Sequence, residues 1–235
     1  RLPSMSGHEV AEQMHKMQKG LPIIAQTAYA MKGDKEKALW AYDYCILINE
    51  DFAPAFFNTA NVYMDDNDPV QALKFYKKCL EIDGDDGMVY CSMGECYEEL
   101  GELERAYDCY KKSAELLPHL ADAWLGKGII SDIFGFHPRA IEEILQAIEL
   151  EPKNVNFWRA LANAYDNDGQ EEKADEAYEK GYELNPDDGE NLVDWLVFLA
   201  NVDESLAVDR IESIDGLSEK DEAKLVLSYC LWMIG

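Results

Sequence analysis

The chain has 235 residues, with 47 acidic side chains against 21 basic ones for a formal net charge of −26, and 48% of its residues are apolar. A surface this negative argues against nucleic acid or an anionic membrane as the main partner, since both are held by Lys and Arg neutralising phosphates. The apolar fraction is that of a packed protein rather than a disordered acidic tail, and the longest apolar stretch, residues 225–234, is about half of a membrane span.

In chain order, Ser6-Gly7-His8-Glu9 fits a capping box that opens a helix within residues 1–18, with Val10, Met14 and Met17 on one face. The segment reads equally well as the remnant of an earlier hairpin. Arg1-Leu2-Pro3-Ser4 offers neither an initiator Met nor an apolar signal core, so the true N-terminus is expected upstream and export stays open.

From residue 19 the sequence repeats every 34 residues. Ala38, Ala72, Ala106, Ala140 and Ala174 stand at that interval. So do Gly33, Asn67, Gly101, Gly135 and Gly169, and likewise Tyr42, Tyr76, Tyr110, Ile144 and Tyr178. Five units, 19–52, 53–86, 87–120, 121–154 and 155–188, follow without insertion or deletion. Within the third, Tyr90, Met93, Gly94 and Tyr97 have helical spacing, and after Gly101 a second set follows at Leu103, Ala106, Tyr107 and Tyr110. Gly, or Asn67 once, supplies the left-handed residue that ends the first helix. Pro69 and Pro138 stand where a second helix begins. Each unit is therefore predicted to be an antiparallel helical hairpin, whose small residues (Ala60, Gly94, Gly128, Ala162) let its two helices approach. One hairpin cannot bury such a face alone, so the units must stack.

Trp124, Gly128, Ala140, Ala147 and Pro152 in the fourth unit, with Tyr90, Gly94, Tyr97, Gly101, Ala106, Tyr110 and Pro118 in the third, resemble tetratricopeptide (TPR) repeats. The likeness spans 170 of the 235 residues. The acidic junctions more narrowly resemble acidic bacterial proteins of this family to which no activity is attached. The resemblance implies an all-α, right-handed superhelical solenoid of helical hairpins that binds peptides on its concave side.

Residues 189–220 read as a worn sixth unit, with Leu192, Trp195, Leu196 and Leu199 on one helix, Leu206, Val208, Ile211 and Ile214 on a shorter second, and no Gly between them. Residues 221–235 look like the first helix of a seventh. That last segment is apolar around nearly its whole circumference, whereas a capping helix should be polar outside. Either the chain is a section of a longer array, or Leu225, Tyr229 and Trp232 form an association surface.

Little here suggests chemistry. The six cysteines, at 45, 79, 91, 96, 109 and 230, include no Cys-x-x-Cys pair and no His at ligand spacing, so they are read as small packing residues in a reducing cytoplasm. The four histidines do not converge. Glu98-Glu99, Glu142-Glu143 and Glu171-Glu172 read as solvated faces. Asp65-Asp66-Asn67-Asp68 mimics part of a calcium loop but lacks its later Gly and distal Glu, so a turn with capping carboxylates is expected. No metal, no cofactor and no catalytic residue is assigned; the chain is read as non-catalytic.

By periodicity, and with the family's groove in mind, the concave positions hold Ile23, Thr27, Phe57, Asn58, Asn61, Met64, Met88, Cys91, Glu95, Glu98, Leu125, Ile129, Asp132, Arg159, Asn163 and Asp166. Phe57, Met64, Met88, Leu125 and Ile129 would make an exposed apolar stripe flanked by carboxylates. The carboxylate clamp by which some relatives grip chaperone C-termini is contradicted by sign. Phe57 stands where its Lys should be, and Asp122 and Gly126 replace its Lys and Arg. The function expected is that of a scaffold holding a peptide or amphipathic helix of a partner protein, of basic character, in this groove. The alternative is a structural section of a longer array, or self-association into a homo-oligomer through the C-terminal helix. Charge is graded along the chain: residues 155–188 and 189–235 carry −7 each, against 0 to −4 for each earlier segment.

Overall fold

A helix that ends on a left-handed residue can close its last turn with two backbone hydrogen bonds and reverse direction within three residues. The sequence places Asn67, Gly101, Gly135 and Gly169 for that purpose, and they adopt φ of 56°, 71°, 79° and 72°. In each case the next amide reaches back to the same place on the preceding helix: Asp68 to Tyr63, Glu102 to Tyr97, Phe136 to Ser131 and Gln170 to Tyr165, at 2.8–2.9 Å.

The computed structural model describes residues 35–213 together with Leu217, Lys220 and Lys224. Among the described residues there are eleven α-helices and no strand: α1 (Lys35–Ile48), α2 (Ala53–Asp65), α3 (Pro69–Asp83), α4 (Gly87–Glu99), α5 (Leu103–Leu116), α6 (Ala121–Ile133), α7 (His137–Leu150), α8 (Val155–Asn167), α9 (Glu171–Leu184), α10 (Gly189–Val202) and α11 (Glu204–Ser213). The architecture is an all-α solenoid of helical hairpins. The expected helix within 1–18, the first helix of unit 19–52 with Ile23 and Thr27, and the association surface Leu225, Tyr229 and Trp232 lie outside the described residues.

The chain forms two compact units, Arg1–Leu117 and Pro118–Gly235. In the first, α2 pairs with α3 and α4 with α5, while α1 packs on α2 and α3 on α4. In the second, α6 pairs with α7, α8 with α9 and α10 with α11. Here α8 also touches α6 and α10, so the first helices of successive hairpins are neighbours. The second unit has one continuous core built on Ile144, Phe157, Leu161, Tyr178, Trp195, Leu196 and Leu199.

Small side chains set the helix spacing. A Cβ at Gly94 would stand 2.7 Å from the Tyr110 ring, and one at Gly128 would stand 2.4 Å from Ile144 Cγ1 and 3.2 Å from the backbone at Ala140 and Ile144. At the other small column, Cys79 Sγ donates to the Ala53 carbonyl at 3.4 Å and Ser113 Oγ to the Gly87 carbonyl at 2.7 Å. Cys45, Cys79, Cys91, Cys96 and Cys109 are buried, and none of them is in a disulfide among the described residues. Burial pushes the Cys79 and Cys96 thiols up to about 12 and that of Cys109 to about 11, so all three stay protonated at neutral pH. The indole N–H groups of Trp124 and Trp158 donate to Pro118 and Pro152 at 3.0 and 2.9 Å, tying each first helix to the proline preceding it.

The sixth hairpin is made differently. Between α10 and α11 there is only Asp203, in extended backbone (φ −161°, ψ 122°), which accepts from the Ser205 amide at 2.7 Å. What holds α11 is a side-chain lock. Arg210 lies over the Trp195 ring at 5.4 Å, bonds Glu179 at 3.1 Å and pairs with Asp175, which also accepts from the Trp195 indole at 2.7 Å. Ala207, Ile211 and Leu217 fill the core below, whereas Leu206 stays exposed.

Replacing Gly128 with Ala is expected to lower stability by about 1–3 kcal/mol, because the clash reaches backbone atoms that cannot rotate away. Thermal or urea unfolding followed by circular dichroism measures it, and a Gly128→Ala protein as stable as the parent would contradict the close approach.

Candidate functional site

The tyrosine column of the second helices decides how much of the expected groove stays open. Tyr76 donates its hydroxyl to Asn61 Oδ1 at 2.5 Å on the facing helix, and Tyr178 does the same to Asn163 Oδ1 at 2.5 Å. Tyr110 bonds the Glu98 carboxylate. In the fourth unit, where Tyr is replaced by Ile144, the Asn position is Ile129, so both positions are apolar. In the third unit the same position is Glu95, which stays exposed, and the tyrosine turns to Glu98 instead.

Packing covers most of the expected apolar stripe. Phe57 is half-buried against the Tyr76 ring, 5.6 Å between centroids. Met64 is half-buried, its sulfur accepting from Cys96 Sγ at 3.1 Å. Leu125 packs against the core of the second unit, and Ile129 is half-buried. Met88 alone among these five stays exposed, at 46%. Cys91, expected on the groove surface, is instead 4% exposed, so its side chain is buried within the hairpin. Asn58 is half-buried and Glu95 exposed.

Asp132 is on the expected helix, but both its oxygens are engaged: His137 Nδ1 lies 2.7 Å from Oδ1, and Asn167 donates to Oδ2 at 2.7 Å. The Glu142-Glu143 pair is a further correction. Glu142 is exposed, whereas Glu143 is 6% exposed and faces the hairpin interior. There it accepts from Ser131 Oγ at 2.6 Å and Arg139 Nε at 3.2 Å and pairs with the buried Lys127 at 3.3 Å. Lys127 in turn sits 4.0 Å from the Trp124 ring centroid. A buried carboxylate survives only when compensated in this way. Asp68 behaves as expected of the pseudo-calcium segment, capping α3 through the Gln71 amide at 3.0 Å.

Within the second unit one place collects several groups with no such covering. Arg159 and Asn163 on α8, the connection Asp187-Asp188-Gly189, and Glu190, Val193 and Asp194 on α10 line an open cleft of about 1000 Å³. Arg159 Nη1 donates to Glu190 Oε2 at 2.7 Å, and its Nε lies 3.9 Å from Asp194 Oδ2. Hydrogen bonding to Glu190, with Asp194 and Asp188 nearby, holds the guanidinium pKa above its ordinary value. Asp188 caps α10 through the Asn191 amide at 3.0 Å. Asp187 is almost fully exposed, 3.3 Å from Lys220. Val193 and Val197, one turn apart on α10, are 37% and 46% exposed. Of this set, groove reasoning named Arg159 and Asn163. Val193 and Val197 lie 34 residues beyond Arg159 and Asn163, so extending the period into the worn sixth unit would have found them.

Among the described residues no group of three or more His, Cys, Asp or Glu is placed to hold a metal ion, and no helix is long and apolar enough to cross a membrane.

Residues 53–86 match one tetratricopeptide-repeat family model, and residues 75–108 and 143–176 match another. Among solved structures the chain is similar to PilF of Pseudomonas aeruginosa (TM-score 0.71, 17% identity, 90% of this chain and 98% of that one). It is also similar to residues 41 to the end of MamA from Desulfovibrio magneticus RS-1 (0.63, 22%, 72% and 96%). A third likeness is to YrrB, described as a TPR protein with an unusual peptide-binding site (0.61, 19%, 80% and 96%). At these identities the likeness is one of fold. No curated protein matches the sequence.

Burial pushes the Glu98 carboxyl above the usual carboxylate range, partly offset by the Tyr110 hydroxyl. A raised folded-state pKa favours the protonated form, so its stabilising effect is full below the ordinary Glu value and is lost as pH rises through the raised one. Glu98→Gln keeps an acceptor for Tyr110 and removes that dependence. The variant is expected to melt above the parent at pH 7, and the gap is expected to close near pH 4 in a series of thermal melts.

Proposed function

We propose that this chain, a member of the tetratricopeptide-repeat family, is a protein-binding scaffold whose second unit holds a basic, amphipathic segment of a partner protein in the cleft between α8 and α10. The observation that carries this reading is the composition of the cleft. Asp187, Asp188, Glu190 and Asp194 surround it, Val193 adds exposed apolar surface to its lining, and Val197, one turn further along α10, is exposed beyond it. A solvated acidic face alone has no need of two exposed valines one turn apart. A segment with Lys or Arg at one helical position and an apolar residue a turn away meets both features.

The roles divide by chemistry. The carboxylates, on a chain of net charge −26, steer and retain the cationic side chains. Arg159 keeps Glu190 and Asp194 from repelling each other and fixes them on the α8 side. Asn163, whose amide oxygen is taken by Tyr178, has its amide nitrogen to offer a backbone carbonyl of the partner. In the first unit Asn58, Met88 and Glu95 would serve as further contacts of the same mixed character. YrrB, whose description names a peptide-binding site, supports the reading as a protein of like fold.

The probe is a fluorescent 18-residue helical peptide of alternating Lys and Leu faces, titrated against the full chain by anisotropy. Binding is expected at low salt and should weaken markedly in 0.5 M NaCl. The double variant Asp187→Lys, Glu190→Lys should weaken it about tenfold or more while the thermal melt stays near that of the parent, since both side chains are exposed. Unchanged affinity in that variant would remove the cleft from consideration.

A further inference from the structure

The turn between α6 and α7 carries side chains that its geometry does not require. Ile133, Phe134 and Phe136 are 59%, 39% and 56% exposed. Together they present on the order of 300 Å² of mostly apolar surface, a size at which a patch on a monomer often marks a contact. The molecule supplies its own controls, because the same turn is built three more times. Where the α6–α7 turn has Ile133, Phe134, Gly135 and Phe136, the others have Asp65, Asp66, Asn67 and Asp68; Glu99, Leu100, Gly101 and Glu102; and Asn167, Asp168, Gly169 and Gln170. All four close with the same two backbone bonds around a left-handed residue. Leu100, at the place of Phe134, is the one apolar side chain among the other three turns, and the two wholly polar turns close the same backbone; at one of them Asp68 adds a capping bond that Phe136, at the equivalent place, cannot make.

We infer that the Ile133-Phe134-Phe136 knob is a second docking point, independent of the α8–α10 cleft, and that its occupant is an apolar pocket rimmed by Lys or Arg on another protein. The convex shape of a turn calls for a concave partner. The charge follows from what stands beside it. The neighbouring turn is held next to the knob by the Asn167 to Asp132 bond and carries Asp168, with Asp166, Glu171 and Glu172 close to it in sequence, while the nearby His137 and Arg139 side chains already face Asp132 and Glu143. A second copy of this chain would bring another net charge of −26 to the contact, and an anionic bilayer would repel it likewise.

The test uses the full chain with a small host of the same chemistry, β-cyclodextrin carrying seven primary amines on one rim, and with neutral β-cyclodextrin for comparison, by isothermal titration. The aminated host should bind at least tenfold tighter than the neutral one. Phe134→Ser with Phe136→Asp should reduce its affinity at least tenfold, while Asp187→Lys with Glu190→Lys should not, which separates this site from the cleft. Phe136→Asp alone should melt no lower than the parent, since Asp can cap α7 through the Arg139 amide as Asp68 caps α3. Equal binding by the Phe variants, equal binding of the two hosts, a dimer in sedimentation that the Phe variants abolish, or uptake by phosphatidylserine vesicles that they abolish would each overturn the proposal.

Discussion

Everything repetitive in this protein follows from one turn, in which a helix ends on a left-handed residue and two backbone amides close back on its last carbonyls. The residue at that place must tolerate positive φ, so Asn67 and three glycines occupy it. Because the connection is then three residues and nothing else, the second helix starts in a fixed phase relative to the first. A fixed phase over successive hairpins is what a 34-residue period without insertions means physically. Side chains separated by 34 residues meet equivalent surroundings, so one position can be small in every unit and another can carry a tyrosine.

Given that register, each hairpin solves the same packing problem with different chemistry. Tyr against Asn, Tyr against Glu and Ile144 against the bare backbone of Gly128 are three answers to how the middle of a second helix meets a first. The fourth unit, having given up the tyrosine hydroxyl, places its polar contact one residue earlier, at Glu143, and compensates the buried charge with Lys127, Ser131 and Arg139. The sixth, without the left-handed turn, substitutes an Arg210 lock between Trp195 and two carboxylates of α9. Departures from the repeat are thus where side chains do what the backbone does elsewhere.

Charge and exposed apolar surface come together in the second unit. The α8–α10 cleft combines carboxylates with Val193, Val197 is exposed one turn further along α10, and the α6–α7 turn sets aromatic side chains beside an acidic neighbour. Both combinations suit a partner that brings cations and apolar groups together, and both leave unused stability in place: an unsatisfied apolar surface in one, an absent helix cap in the other.

The sequence by itself determined the hairpin class, the positions of the four turns at Asn67, Gly101, Gly135 and Gly169, and the inward small columns, because these depend on the local rules of backbone conformation and on a period that can be counted. It also announced that negative charge gathers toward the later repeats. Only the tertiary structure decided which groove positions are available. Periodicity marks Phe57, Met64, Leu125 and Cys91 as equivalent to exposed sites, but how far each is covered depends on the ring, sulfur or core that reaches it from another helix, 19 to 32 residues away for Phe57 and Met64. The same holds for Glu143, indistinguishable from Glu142 as a letter in a charge run, whose burial depends on Lys127 and Ser131 across the hairpin. Equivalence in register is a property of the backbone and is written locally. Exposure is a property of the neighbours, and those are chosen only when the helices pack.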